Sequence, residues 1–167
     1  MTETFILEKM RAQGRADALA LQNNSSTMTG TELNAQTDII PDFIEAVKVK
    51  NMLDRPAGQT SGFVCRSSAG RVVSLLQKYD STVYLHEDGT PWEPEELPAQ
   101  WRFKWSTDPK KALPFIKLAT SPYDTGDCYT FNGGVYRSTI NANVYSPEEY
   151  PQGVEYIGTI EEVQGNV

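Results

Sequence analysis

The feature that most constrains this chain is a dipeptide, Asn132-Gly133, set between two alternating runs. Asn-Gly takes up the positive φ angles of a tight strand reversal at low steric cost, which makes it a strong short-range hairpin signal. In the run before it, Tyr129 and Phe131 share one face while Cys128 and Thr130 share the other. The run after it, Val135-Tyr136-Arg137-Ser138-Thr139-Ile140, is rich in β-branched and apolar residues. The stretch therefore predicts an antiparallel hairpin, punctuated by Gly126 and Pro147, with Tyr129, Phe131 and Tyr136 in a small core.

A repeat surrounds that hairpin. Pro94-Glu95-Glu96-Leu97-Pro98 recurs as Pro147-Glu148-Glu149-Tyr150-Pro151. Upstream of each copy a cysteine precedes a glycine by five residues, Cys65 with Gly70 and Cys128 with Gly133. A strand-forming run follows each glycine, Val72 to Leu76 and Val135 to Ile140, and an aromatic follows each acidic segment, Trp101 and Tyr156. Such self-similarity points to one supersecondary unit used twice. The first copy, Phe63 to Phe103, carries extra residues around His86-Glu87-Asp88-Gly89, where Asp-Gly predicts an added hairpin or surface loop. Trp101-Arg102-Phe103-Lys104-Trp105 alternates as a strand with its aromatics directed to the core, and Asp108 to Pro114 reads as a loop joining the two units.

The order Tyr123, Gly126-Asp127, Tyr129, Phe131, Asn132-Gly133, Tyr136, Asn143-Val144-Tyr145-Ser146-Pro147, Tyr156 resembles the small modules appended to bacterial chitinases, carbohydrate-binding module families five and twelve. The same pattern recurs in tail-associated proteins of bacteriophages and of prophages of Gram-positive bacteria. The resemblance implies a β module that stacks exposed aromatic rings on sugars. Tyr145 stands where those modules commonly have a tryptophan, and Tyr156 holds the closing aromatic position. The candidate sugar-binding residues are thus Tyr145, Tyr150 and Tyr156, with Asn143 and Glu149 as hydrogen-bonding neighbours. Core packing is the competing expectation, evenly matched for Tyr145 and favoured for Tyr156.

The N-terminal third differs in kind. Thr2 to about Gln22 has helix-forming composition, weakened at Gly14, and Asn23 to Thr27 reads as a stop. Thr29-Gly30-Thr31-Glu32 has the spacing of a capping box, so a second short helix is expected to present Leu33, Gln36, Thr37 and Ile40 before Pro41 ends it. The two helices suit a helical hairpin whose apolar stripes need a partner. That partner is either the chain's own β part or a larger assembly, in which case Phe5, Ile6, Met10, Leu33 and Ile40 are the candidate interface. From Met28 through Pro41 the layout also resembles N-terminal regions of small phage tail-associated proteins. Phe43 to Val49 is ambiguous between strand and helix, and Arg55-Pro56-Ala57-Gly58 reads as a turn into the first β unit.

Composition narrows the function. With 39% hydrophobic and 22% charged residues the chain is globular, not disordered. Its net charge of −7 and its want of any Lys/Arg cluster beyond Lys110-Lys111 and Lys48-Val49-Lys50 argue against nucleic-acid binding. No apolar run approaches the ~20 residues of a membrane span, and Met1-Thr2-Glu3-Thr4 lacks the basic start of a secretory signal, so synthesis in a bacterial cytoplasm is expected. One histidine and two cysteines, expected as free thiols, do not assemble a structural zinc site, and no phosphate-binding glycine loop occurs. Glycoside hydrolysis needs two carboxylates about 5–10 Å apart across a cleft. Glu95, Glu96, Glu148 and Glu149 are available, with Asp124 and Asp127, yet their proline-bounded turns read as solvated.

The expected fold is α+β: a helical attachment arm over residues 1–41, a linker over 42–62, a first antiparallel β module over 63–120, and a carbohydrate-binding-like module over 121–167. The expected function is that of a non-enzymatic virion component of a phage tail or fibre, multicopy or homo-oligomeric, held to other virion proteins by the arm and contributing to adhesion to host-envelope glycan. A tail-fibre assembly chaperone and, behind it, a small glycan hydrolase are the alternatives. No metal, cofactor, nucleic acid or membrane insertion is expected.

Overall fold

A computed structural model of the chain describes residues 3–48, 62–77, 79–80 and 82–165. The expected turn at Arg55-Pro56-Ala57-Gly58 lies outside the described residues, as do Val49 and Lys50. The architecture is α+β, with helices leading into two small sheets.

Helix α1 (Glu3–Asn24) spans 22 residues and is followed by α2 (Gly30–Asn34), whose N-cap is Thr29: its hydroxyl accepts from the Glu32 amide at 3.1 Å. Helix α3 (Phe43–Ala46) is a single turn. Strands β1 (Val64–Arg66), β2 (Val72–Leu75) and β3 (Trp101–Phe103) form an antiparallel sheet in the order β1-β2-β3. The second sheet is mixed: β4 (Leu113–Pro114) pairs in parallel with β5 (Cys128–Phe131), which pairs antiparallel with β6 (Gly134–Ser138), and β6 with β7 (Val154–Thr159). Helix α4 (Ile160–Gln164) is the last element among the described residues, started by Thr159, whose hydroxyl accepts from the Glu162 amide.

Every second residue of β1 and β2 faces a different core, so both strands are buried throughout most of their length. Cys65, Val73 and Leu75 join Phe43, Tyr79, Trp101 and Phe103 on one face, with Phe43 edge-on to Tyr79 and to Trp101 at 5.8 Å each. Val64 and Val72 face the other way, into Leu21, Leu33 and Ile40. Helices α1 and α2 thus converge on the first sheet instead of pairing along their lengths, because the apolar residues of the short α2 are satisfied by β2. The segment expected as linker also corrects itself here, since Phe43 is one of the best buried side chains of the protein.

Each hairpin is flanked on its outer edge by a parallel segment that meets it one residue after the cysteine, Asp42 beside Arg66 and Leu113 beside Tyr129. The joining loop expected at Asp108–Pro114 therefore contributes an edge strand, and the second sheet is not purely antiparallel as expected. Beyond each hairpin, the Pro-Glu-Glu segment turns the chain into a third strand antiparallel to the second, β3 or β7. Both units have the same strand order in this region, although their hairpin loops differ: residues 67–71 in the first, Asn132-Gly133 in the second. Asn132 and Gly133 have φ of 46° and 81°, as the tight reversal requires.

The units are packed together. Trp105 stacks on Tyr123 with centroids 4.5 Å apart, the Cys128 amide donates to the Ser106 carbonyl, and the buried Arg71 donates to the Pro114 carbonyl at 2.8 Å. Both cysteines are free and buried in separate cores, and burial pushes the Cys65 thiol well above its ordinary range. No helix among the described residues is long and apolar enough to cross a membrane.

Candidate functional site

The Pro147-Glu148-Glu149 turn builds the site. Proline fixes φ and lacks an amide that would go unpaired at a turn start, and the second glutamate reaches back to the preceding residue. Glu149 Oε1 accepts from the Ser146 amide at 3.0 Å, while the Ser146 hydroxyl accepts from the Glu149 amide at 3.2 Å. The other carboxylate oxygen of Glu149 accepts from Lys117 Nζ at 2.8 Å, and this bond, before the backbone one, holds its carboxyl below the usual carboxylate range. Lys117 Nζ also sits 5.6 Å from the centre of the Tyr145 ring. Tyr145 and Tyr150 face each other across the turn, centroids 6.0 Å apart and rings inclined by 54°, with 46% and 41% of their surface exposed. Two tyrosines, a lysine and a glutamate thus form one open surface, apolar on the ring faces and rimmed by a donor and an acceptor.

Asn143 does not belong to that surface. It is buried, its amide donates to the Ser138 hydroxyl and the Gly153 carbonyl, and its carbonyl accepts from the Tyr145 amide at 3.0 Å. Its role is to fix the Tyr145 backbone, since a buried amide must have its polar groups satisfied. Tyr156 also departs from expectation. It is 56% exposed on the edge strand β7, so it does not close a core. It ends a cross-strand row in which Tyr129, fully buried, lies opposite Tyr136, and Tyr136 lies opposite Tyr156 at 5.4 Å. Tyr129 is in the core as expected, whereas Phe131 and Tyr136 are only partly buried.

The candidate interface residues of the arm divide in two. Phe5, Ile6 and Met10 lie on an exposed stretch of α1, with Met10 65% exposed; Leu7 is exposed beside them, and Leu19 is exposed further along the helix. Leu33 and Ile40 are corrected: both are buried against Val64 and Val72 of the same chain, because the sheet's second face needs cover. Among α1 residues only Leu21 and Gln22 are buried. A groove of about 830 Å³ runs beside the C-terminal half of the helix, bordered by Gly14, Ala18, Leu19, Ile39 and Phe63.

The glutamates considered for hydrolysis are engaged. Glu95 pairs with Arg71 at 3.1 Å, Glu96 with His86 at 2.9 Å, Glu149 with Lys117, and Glu148 accepts from the Asn132 side chain at 3.1 Å. Sequence reasoning missed Lys117 and His86 as partners of these turns. The spacing carries no signal for either, since Lys117 arrives from beyond β4 and His86 from the added Asp88-Gly89 turn. No family model, no curated protein and no solved structure matches the chain.

Proposed function

We propose that the protein is a non-enzymatic structural component of a phage tail or tail fibre, synthesised in the bacterial cytoplasm and retained in the virion. Helix α1 attaches it to other virion proteins, and the Tyr145–Tyr150 surface contributes to adhesion on a host-envelope glycan. The observation that carries this reading is the helix itself: 22 residues long, it is buried on its own chain only at Leu21 and Gln22 and exposes Ile6, Leu7 and Met10. Exposed apolar side chains concentrated at one end of a helix favour a docking role. At the other end, a tyrosine face offers a flat apolar surface to the C–H side of a pyranose, and Lys117 and Glu149 supply a donor and an acceptor at its rim. Engagement of all four Pro-Glu-Glu carboxylates by neighbouring side chains supports a binding role over an acid–base one. Single contacts of this kind are weak, so adhesion draws on many copies in one particle.

Mass spectrometry of purified particles tests attachment: stoichiometric presence is expected, and absence, with fibres failing to assemble when the gene is deleted, would make the protein a chaperone. Retention on cell walls tests recognition; Tyr145→Ala is expected to weaken it, and equal retention of the two proteins would remove Tyr145 from the site.

A further inference from the structure

The Pro-Glu-Glu turn of the first unit is not a bare structural copy of the second. Trp92-Glu93-Pro94-Glu95-Glu96 aligns with Tyr145-Ser146-Pro147-Glu148-Glu149, which places an aromatic two residues before the proline in each. Glu96 Oε2 accepts from the Glu93 amide at 2.8 Å, as Glu149 Oε1 does from Ser146 at 3.0 Å. The second oxygen of each carboxylate meets a base, His86 Nε2 at 2.9 Å in one unit and Lys117 Nζ at 2.8 Å in the other. Each base also lies against the aromatic. The His86 ring stacks on Trp92 at 5.8 Å and 25°, and Lys117 lies 5.6 Å from the Tyr145 ring centre. Both aromatics are exposed, Trp92 by 38% and Tyr145 by 46%. Both are also held by their backbones: Trp92 donates to the Tyr84 carbonyl at 3.0 Å and Tyr145 to the Asn143 side chain at 3.0 Å.

The two bases come from different places, His86 before its aromatic and Lys117 well ahead of Tyr145 on the stretch after β4. Duplication of the turn alone does not supply them. An exposed indole at a fixed position, flanked by a base and a carboxylate, offers the same combination of apolar face and hydrogen-bonding rim as the tyrosine surface, with a larger ring. A chain that fully buries Trp101 leaves Trp92 at the surface in this one setting. We propose that Trp92, His86 and Glu96 form a second carbohydrate-binding site, so that each chain presents two pyranose-stacking surfaces of one plan. This rests on the carbohydrate reading of Tyr145 given above.

The two sites on one chain act together on a polymeric glycan, because the second contact is intramolecular once the first has formed. The test uses the full chain, Trp92→Ala, Tyr145→Ala and the double variant, with two probes: chitohexaose in solution and insoluble Gram-positive cell walls. Each single variant is expected to lose at least about tenfold in apparent affinity for walls, and the double variant to lose retention. Chitohexaose is expected to change the tryptophan fluorescence of the parent and of Tyr145→Ala but not of Trp92→Ala. Trp92→Tyr, which keeps a stacking ring, is expected to restore most of the binding, which a merely structural indole would not predict. Undiminished wall binding by Trp92→Ala, with Tyr145→Ala impaired, overturns the second site and leaves the first standing. Failure of the parent to bind either probe overturns both. Loss in Trp92→Ala alone upholds this site and removes Tyr145.

Discussion

Gln22 tests how the arm is fastened to the body. Its side-chain amide donates to the Val64 carbonyl at 2.6 Å and accepts from the Val64 amide at 2.9 Å, so that it takes the place of a neighbouring strand on the outer edge of β1. Both Val64 and Gln22 are buried. Replacing Gln22 by leucine retains the bulk but strands one buried N–H and one buried C=O. Each such group costs about 1–3 kcal/mol when left without a partner. The added apolar contact offsets part of that, and a net loss of about 2–4 kcal/mol follows. At ~2–4 °C per kcal/mol for a chain of this length, the thermal midpoint falls by about 5–15 °C. Gln13→Leu is the control, because Gln13 is exposed and donates only to Asp17 one turn on; its effect is expected to stay within about 0.5 kcal/mol. Urea denaturation followed by circular dichroism reads both, with the slope m unchanged. If Gln22→Leu melts with Gln13→Leu, the amide does not fasten the helix, and the arm's anchorage has to be sought in Leu21 alone.

Three further outcomes follow from the same geometry. Deletion of residues 1–17, ahead of the buried turn of α1, is expected to leave the unfolding free energy of the body, read by urea denaturation, within about 0.5 kcal/mol of the parent while abolishing incorporation into particles. Gly133→Val is expected to destabilise by about 1–3 kcal/mol, since φ is 81° there, whereas Gly133→Asn costs less; because a Cβ at Gly133 meets no atom within 4 Å, the difference isolates backbone conformation. His86 should titrate above its ordinary value in an NMR pH series because Glu96 accepts its hydrogen bond, and Glu96→Gln should bring it back down. The histidine's part of that stabilisation is present below the unfolded histidine value of about 6.5 and fades as pH rises through the raised folded value. The Glu96 part, whose carboxyl the same bond holds low, is lost in acid as that carboxyl protonates.

What the sequence made legible is what depends on neighbours in the chain. Asn132-Gly133 dictates its turn locally, and Thr29 caps α2 because a hydroxyl three residues before a glutamate reaches its amide wherever that helix packs. The alternation of Cys128 to Phe131 emerged for the same reason. The parts that were not legible depend on distant segments. Leu113-Pro114 is too short to show any period, and it becomes a strand because β5 offers an open edge. Phe43 sits in a run too short to classify, and only the packing of Tyr79 and Trp101 makes it a core residue. Asn143 looks like a surface amide by type, but the bridge between Tyr123 and Asn143 carries it inside, where Ser138 and Gly153 satisfy it. Tyr156 pairs with a tyrosine on β6 yet remains exposed, since among the described residues β7 is the edge strand of its sheet.

Within the candidate site, the two glutamates of each turn have separate tasks. The first is structural: Glu95 grips the buried Arg71, which in turn donates to the Pro114 carbonyl and so ties the first unit to β4 of the second, while Glu148 accepts from the side chain of Asn132 at the hairpin turn. The second glutamate, Glu96 or Glu149, spends one oxygen on the amide before the proline and directs the other to a base lying against the aromatic. Adjacent residues on a tight turn point different ways, so a pair of glutamates can brace the fold with one carboxylate and line a surface with the other. A single glutamate cannot reach both partners at once. That geometric requirement gives the doubled acid a physical reason to recur in both units, even where the base beside it has changed from histidine to lysine.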